Sequence, residues 1–261
     1  DCIYRVIPVV YETVEAALEA VWGEDGRATE LPVMVRMASW IGGDMVGRSE
    51  ITARSIRDTL ARQRSLVLGL YHGECRELAE KMSQGTTRVG VSAALEERLR
   101  LYSGHFPNAL GLTPLRHREM RYRVFMRLVM ARLQSTATEG LFPFDSADEF
   151  AADLQLITNS LEANRGQHAG LFGVRRLLRR VATFGFHFMT LDVRQEALVN
   201  RRVIGRALNE PEWLEQPAAY RLERLRRALA ENESPAGELD NEAKRAVGIF
   251  QAIAFCRRRY G

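Results

Sequence analysis

Lysine is nearly absent from this chain. Only Lys81 and Lys244 stand among 37 basic residues, so arginine carries almost all the positive charge, against 33 acids and for a net charge of +4. So small an excess, with acids and bases interleaved, supports nucleic-acid binding weakly, and no nucleic-acid partner is expected. Cysteine is scarce as well. Cys2, Cys75 and Cys256 are odd in number and form no CxxC, which fits free thiols in a reducing cytoplasm and not a disulfide framework. The five histidines are scattered, and His72 with Cys75 has no third ligand close in sequence, which argues against zinc. No apolar run approaches the ~20 residues that cross a bilayer: Ser65–Tyr71 is short and Leu31–Ile41 is broken by Arg36, so no membrane partner is expected. Signal peptide, P-loop, nucleophile elbow, dinucleotide fingerprint and internal repeat are all missing.

What remains is an ordinary globular composition, 46% hydrophobic and 27% charged, dominated by helical periodicity. Ile3–Trp22 carries Ile7, Val10, Val14, Leu18 and Val21 at three- and four-residue steps, and Gly23–Glu30 reads as a polar turn. Thr52 caps a helix reaching about Ser83, Ser92 starts another ending near Gly104, and Pro107–Pro114 reads as a loop before a helix over Arg118–Gln134. Ser146 with Glu149 is a capping box for a helix to about Asn164. Helices follow over Gly170–Thr183 and Arg194–Leu208, from about Asn209, and over Asn241–Arg258. Arg175, Arg176, Arg179 and Arg180 read as solvated flanks of an amphipathic helix. Only Pro32–Ile41 and Phe184–Val193 read as strands, with His187 inside the second as a hydrogen-bonded core histidine. Two strands cannot close a sheet, so the expected fold is predominantly α-helical with a few parallel strands that need further partners. With a start that is not methionine, the 261 residues read as a single partial domain, a middle slice of something longer.

Chemistry concentrates at the two strand ends. In Ser39-Trp40-Ile41-Gly42-Gly43-Asp44-Met45-Val46-Gly47, three glycines within six residues let backbone approach a ligand or another strand, with Asp44 at the exit; on spacing alone a tight turn with an aspartate cap is the favoured reading. In Thr190-Leu191-Asp192-Val193-Arg194-Gln195-Glu196, Asp192 and Arg194 share a face of an extended chain. A planar guanidinium where strand passes to helix suits a phosphate or carboxylate, with Asp192 placed to orient it; a structural Asp–Arg pair is the alternative.

These two segments resemble the SW(M/I)GGDxDGNP and FGxxLxxLDxRQE segments of phosphoenolpyruvate carboxylases, in the same order, and Ala243–Gly261 is similar to the helix before the family's next strand. The resemblance implies that the chain is part of a large β/α-barrel enzyme, holding about two of eight parallel strands. It implies an anaplerotic reaction in the cytoplasm, forming oxaloacetate and phosphate from phosphoenolpyruvate and bicarbonate with Mg²⁺ or Mn²⁺; the unpaired edges of two strands without neighbours lead to the further expectation of a homo-oligomer. Arg194 then engages the substrate phosphate, beside Asp192, and Trp40, Gly42, Gly43 and Asp44 form a loop at the same mouth. The family's TAHPT and HGRGG segments are not among these residues, so no metal ligand and no turnover are expected of this chain by itself. Where the family has Asp-Gly-Asn-Pro, this sequence has Val46-Gly47-Arg48-Ser49; Ala197 and Asn200 replace a Ser and a His. These departures leave two readings open, a divergent active enzyme or a degenerate homologue acting as a helical assembly or regulatory module.

Overall fold

The computed structural model describes residues 2–28, 31–48, 50–86, 90–235 and 239–260. They divide into two compact units, residues 1–37 with 63–189 and residues 38–62 with 190–261. Helices dominate both. Among the described residues the only paired strands are β1 (Ala38–Ser39) and β2 (Thr190–Leu191), which run parallel.

The first unit is built from α1 (Cys2–Trp22), α2 (Glu24–Ala28), most of α3 (Ala53–Lys81), α4 (Ala93–His105), α5 (Pro107–Gly111), α6 (Arg121–Thr138), α7 (Ala147–Ala163) and α8 (Phe172–Phe184). The capping signals act as the sequence indicates. The Ser92 hydroxyl accepts from the Leu95 amide at 3.3 Å and that of Ser146 from the Glu149 amide at 3.2 Å. Glu149 reaches one residue further back than a standard box, accepting from the Asp145 amide at 3.0 Å. Helix α6 is buried along most of its length, through Val124, Phe125, Met126, Leu128, Val129 and Leu133. Phe150, Leu154, Ile157 and Leu161 of α7 and Val174, Leu177 and Val181 of α8 complete the same core.

Several elements differ from the sequence expectation. The inner stripe of α1 is Tyr4, Ile7 and Tyr11, while Val10 and Val21 are exposed. Glu24–Ala28 and Pro107–Gly111 are short helices where a turn and a loop are expected; Pro107 sits at a helical first position, where its missing N–H costs nothing. The strand expected over 184–193 is mostly not extended. Helix α8 continues through Phe184, Gly185 at φ 52° ends it, and Phe188 at φ 66° turns the chain. His187 therefore lies in a turn. Phe186 is buried, and the Tyr71 hydroxyl donates to the Gly185 carbonyl at 2.9 Å, which holds the turn down.

Of the α8 arginines expected as solvated flanks, Arg175 is exposed, while Arg176, Arg179 and Arg180 are partly buried. Arg176 grips Glu12 with two bonds of 2.6 and 2.7 Å, Arg179 pairs with Glu15 at 2.7 Å, Arg180 with Glu74 at 2.8 Å and Arg175 with Glu162 at 2.6 Å. Arg180 also donates to the Tyr4 carbonyl at 2.9 Å. The helix is thus joined to α1, α3 and α7 through charge as well as through its apolar stripe. Helix α3 carries two glycines four residues apart, Gly69 and Gly73, at each of which an added Cβ would meet nothing within 4 Å. Each mid-helix glycine costs about 1 kcal/mol relative to alanine. Gly173 differs: a Cβ there would lie 2.6 Å from Leu78, so its bareness lets α8 approach α3.

In the second unit, Met45, Ile56 and Ile249 form a small core joined by Leu60, Leu191, Val193 and Ile253, and Val203 packs with Ala243 and Ala246 between α9 (Ala197–Ala207) and α11 (Asn241–Tyr260). Arg245 of α11 donates to the carbonyls of Ile51 and Arg48 at 3.0 and 2.6 Å. Asn209 does not start a helix. It ends α9 in the left-handed region at φ 56°, a conformation asparagine tolerates, and α10 (Ala218–Ala230) begins only after Pro217.

Asp153 of α7 is fully buried, accepting from Tyr102 at 2.6 Å and Arg98 at 2.7 Å. Burial pushes its carboxyl up to about 6, against the pull of the Tyr102 hydrogen bond and of Arg98 and Arg132. The native state thus holds this proton more tightly than the unfolded chain does. The resulting stabilisation is full below the ordinary value of 3.8 and is lost as pH rises through about 6. Denaturant unfolding at several pH values should therefore show a wild-type stability that falls, relative to Asp153→Asn, by up to about 3 kcal/mol between pH 4 and pH 6.5. A difference that does not change over that range would contradict the assignment.

Candidate functional site: the parallel strand ends

The two glycine- and arginine-bearing segments lie about 150 positions apart in sequence and share one parallel ladder. Ala38 is opposite Thr190 and Ser39 opposite Leu191, and a further bridge joins Asp44 to Arg194. Four backbone bonds carry the line through the strand ends: Asp192 N–H to the Ser39 carbonyl (2.9 Å), Arg194 N–H to Gly43 (2.9 Å), Met45 N–H to Arg194 (2.9 Å), and Asp44 N–H back to Trp40 (3.1 Å). Residues 40–43 thus loop out as a tight turn and return to pairing at Asp44.

Each glycine in this turn has its own reason. At Gly43 an added Cβ would lie 2.4 Å from the Asp192 carbonyl oxygen, so only a bare backbone lets the two segments pair. Gly42, at φ 86°, would meet the Thr59 hydroxyl at 2.2 Å. Gly47 has open space around it and is required only by its φ of 67°. Asp44 caps the turn, its carboxylate accepting from the Val46 amide at 3.3 Å. The aspartate-cap reading of this motif therefore describes what Asp44 does within the chain.

Arg194 is different. It is exposed, and its guanidinium carbon lies 5.0 Å from the centre of the Trp40 ring, itself 54% exposed. Among the described residues no carboxylate pairs with Arg194, and Asp192, half-buried beside it, does not do so. An aromatic face orients a guanidinium without consuming its N–H donors. The fork of donors stays free for an external oxyanion. Nothing in the sequence points to this stack, because the two residues belong to different motifs.

Gln195 faces the other way. Its amide approaches the Met45 sulfur at 4.0 Å and accepts from the Glu196 amide at 3.0 Å. Beside it lies a cavity of about 240 Å³ lined by Met45, Val193, Gln195, Asn200, Ile249 and Ile253, among others. The strict alternation of Arg194 and Gln195 is the one sequence signal for this second environment. Among the described residues no group of three or more His, Cys, Asp or Glu is gathered into a metal-binding cluster. Asp44 and Asp192 give at most two carboxylates at the strand ends, too few for a divalent-cation site among the described residues.

The fold and these strand ends define a class: a mostly helical protein with parallel strands whose C-terminal ends carry an exposed, aromatic-backed arginine. The particular family follows from comparison with known proteins. The phosphoenolpyruvate carboxylase family profile matches residues 1–261, and the chain belongs to that family. A phosphoenolpyruvate carboxylase of Xanthomonas euvesicatoria pv. vesicatoria is 42% identical over 260 residues, which cover 99% of this chain and 28% of that protein. One from Xanthomonas oryzae pv. oryzae is 41% identical over 259 residues, and one from Burkholderia mallei 27% identical over 276 residues. The chain thus spans little more than a quarter of the length of these relatives.

The two glycines make a paired test. Gly47→Ala should lower unfolding stability by about 1 kcal/mol, the cost of a left-handed side-chain-bearing residue. Gly43→Ala should cost more and also raise hydrogen exchange at the Arg194 and Met45 amides, because the ladder must open. Equal costs with unchanged exchange would contradict the close-approach argument.

Proposed function

We propose that these residues supply the arginine-bearing strand ends of an enzyme that carboxylates phosphoenolpyruvate, forming oxaloacetate and phosphate from phosphoenolpyruvate and bicarbonate. The observation that supports this is Arg194: a cation with no carboxylate partner among the described residues, backed by Trp40 and set at the end of a parallel strand. Catalytic groups gather at that end of parallel β/α architectures. In this reading a bicarbonate oxygen attacks phosphorus and the bond from phosphorus to the enol oxygen breaks, leaving its electron pair on the enolate of pyruvate. The carboxyphosphate formed releases phosphate and CO₂, which the enolate carbon attacks. The phosphoryl group thus carries its negative charge from the enol oxygen to bicarbonate. Arg194 holds the phosphoryl oxygens through its fork of donors and stabilises that charge while it moves. Asp192 lies beside the substrate, and Trp40, Gly42, Gly43 and Asp44 form the loop that keeps Arg194 in place. The β/α barrel itself, of which β1 and β2 would be two strands, belongs to the same proposal.

The family reaction uses Mg²⁺ or Mn²⁺, and the described residues gather no ligand set for either; no step is assigned to the ion here. A cytoplasmic homo-oligomer is part of the reading. No helix among the described residues is long and apolar enough to cross a membrane. The Val46–Ser49 segment and Ala197 with Asn200 depart from the family pattern and favour a second reading, a non-catalytic helical module for assembly or regulation.

One assay separates the readings. A protein of the relatives' full length carrying this sequence should form oxaloacetate, read by coupling to malate dehydrogenase, while the 261 residues alone should not. In the longer protein Arg194→Ala should lower kcat/KM by roughly 100-fold or more, with Arg194→Lys recovering part of the loss. Full activity in Arg194→Ala would overturn the role of that residue. An inactive but folded wild-type protein would favour the non-catalytic module.

A further inference from the structure

Helix α3 is unbroken over Ala53–Lys81 and turns one long face outward. Arg62, Leu66, Gly69, Arg76 and Glu80 are exposed along it and Gly73 is half-buried, while Val67, Leu68, Tyr71, Cys75 and Leu78 point into the core. The outward positions follow at alternating steps of four and three residues. That is the spacing of a seam that packs lengthwise against a second helix. Among the described residues Arg62 and Arg76 form no ion pair, and neither does the Glu80 carboxylate; Arg123 takes the Glu80 carbonyl instead, at 2.6 Å.

The charges on this face are complementary to the same face reversed. Turned about a two-fold axis between Gly69 and Gly73, a second copy sets its Glu80 against Arg62 and its Arg62 against Glu80. Leu66 then meets the aliphatic stem of Arg76, again twice over, and Gly69 meets Gly73. A parallel pairing would set arginine on arginine and glutamate on glutamate, so charge selects the antiparallel arrangement. The glycines fall at the centre of the pair. A Cβ at either would meet nothing within 4 Å, so no contact inside the chain accounts for them, and the space is free for another backbone. A groove of about 490 Å³ runs along this stretch of α3, and Phe172 of α8, 61% exposed, lines it with the two glycines.

We propose that α3 is a dimerisation helix, pairing antiparallel with α3 of a second copy of this chain. Its centre lies between Gly69 and Gly73, where bare backbone brings the two axes to about 8 Å. The inference rests on the homo-oligomer part of the reading above and needs none of its chemistry.

Sedimentation equilibrium of the 261-residue chain tests this, and the expected result is a reversible dimer. Arg62→Glu should weaken association about tenfold, because two ion pairs become two repulsions, and Glu80→Arg should do the same. The double variant Arg62→Glu/Glu80→Arg should return to within about threefold of wild type, since it restores both pairs with their signs exchanged. Gly73→Leu should keep its helical circular dichroism and lose the dimer. Leu66→Cys/Arg76→Cys should form a covalent dimer under mild oxidation; the two positions lie about 15 Å apart along one helix and cannot join within a chain. A monomeric wild type, a dimer unchanged by Arg62→Glu, or a double variant no tighter than either single one would overturn the proposal. In a protein of the relatives' full length, an oligomer whose mass ignores both Arg62→Glu and Gly73→Leu would overturn it too, and would leave the homo-oligomer reading standing.

Discussion

The carbonyl oxygen of Asp192 occupies the place where a side chain at residue 43 would begin. That single approach governs the candidate site. It forces glycine at 43, brings Gly43 and Arg194 into a 2.9 Å backbone bond, and lets the chain return to pairing at Asp44 after the turn. The turn in turn sets Trp40 under the Arg194 guanidinium. Sequence, backbone and side-chain chemistry are linked here through one contact: lose the ladder and the arginine loses both its register and its aromatic support.

Which arginine is available for chemistry is decided by pairing and not by number. The chain is rich in arginine, and the densest cluster lies on α8. There every one of the four has a glutamate partner, so the cluster binds the helix to its neighbours and leaves little charge for a polyanion. Buried Arg132 is likewise consumed, stacked on Phe142 and Phe144 and bonded to Glu149 and Tyr102. Arg194 stands apart: a ring lies beneath it, and among the described residues no acid forms an ion pair with it.

Much of the helical framework is legible from local signals. Ser92 and Ser146 cap as their spacing indicates, because a cap is a contact across three residues and needs no tertiary information. The strands are less legible. An apolar run such as 184–193 looks extended, but Gly185 and Phe188 take left-handed angles and fold Phe186 into the core, leaving two paired residues. Asn209 fails in a related way, since asparagine serves both ends of a helix. Of the site, the glycine-rich turn and the strand-end arginine can be found in the sequence. The α8 ion pairs to α1, separated by 164 positions, and the Trp40 stack cannot, because nothing local specifies them.

The chain belongs to the phosphoenolpyruvate carboxylases and covers about 28% of its Xanthomonas relatives, and the proposal assigns the substrate phosphate to Arg194 within that portion. The most direct test is a crystal structure of a protein of the relatives' full length, carrying this sequence, with phosphoenolpyruvate bound. The account predicts Arg194 nitrogens within about 3 Å of the phosphoryl oxygens, with Trp40 still beneath the guanidinium. A phosphate held by other residues, with Arg194 turned to bulk solvent, would contradict it.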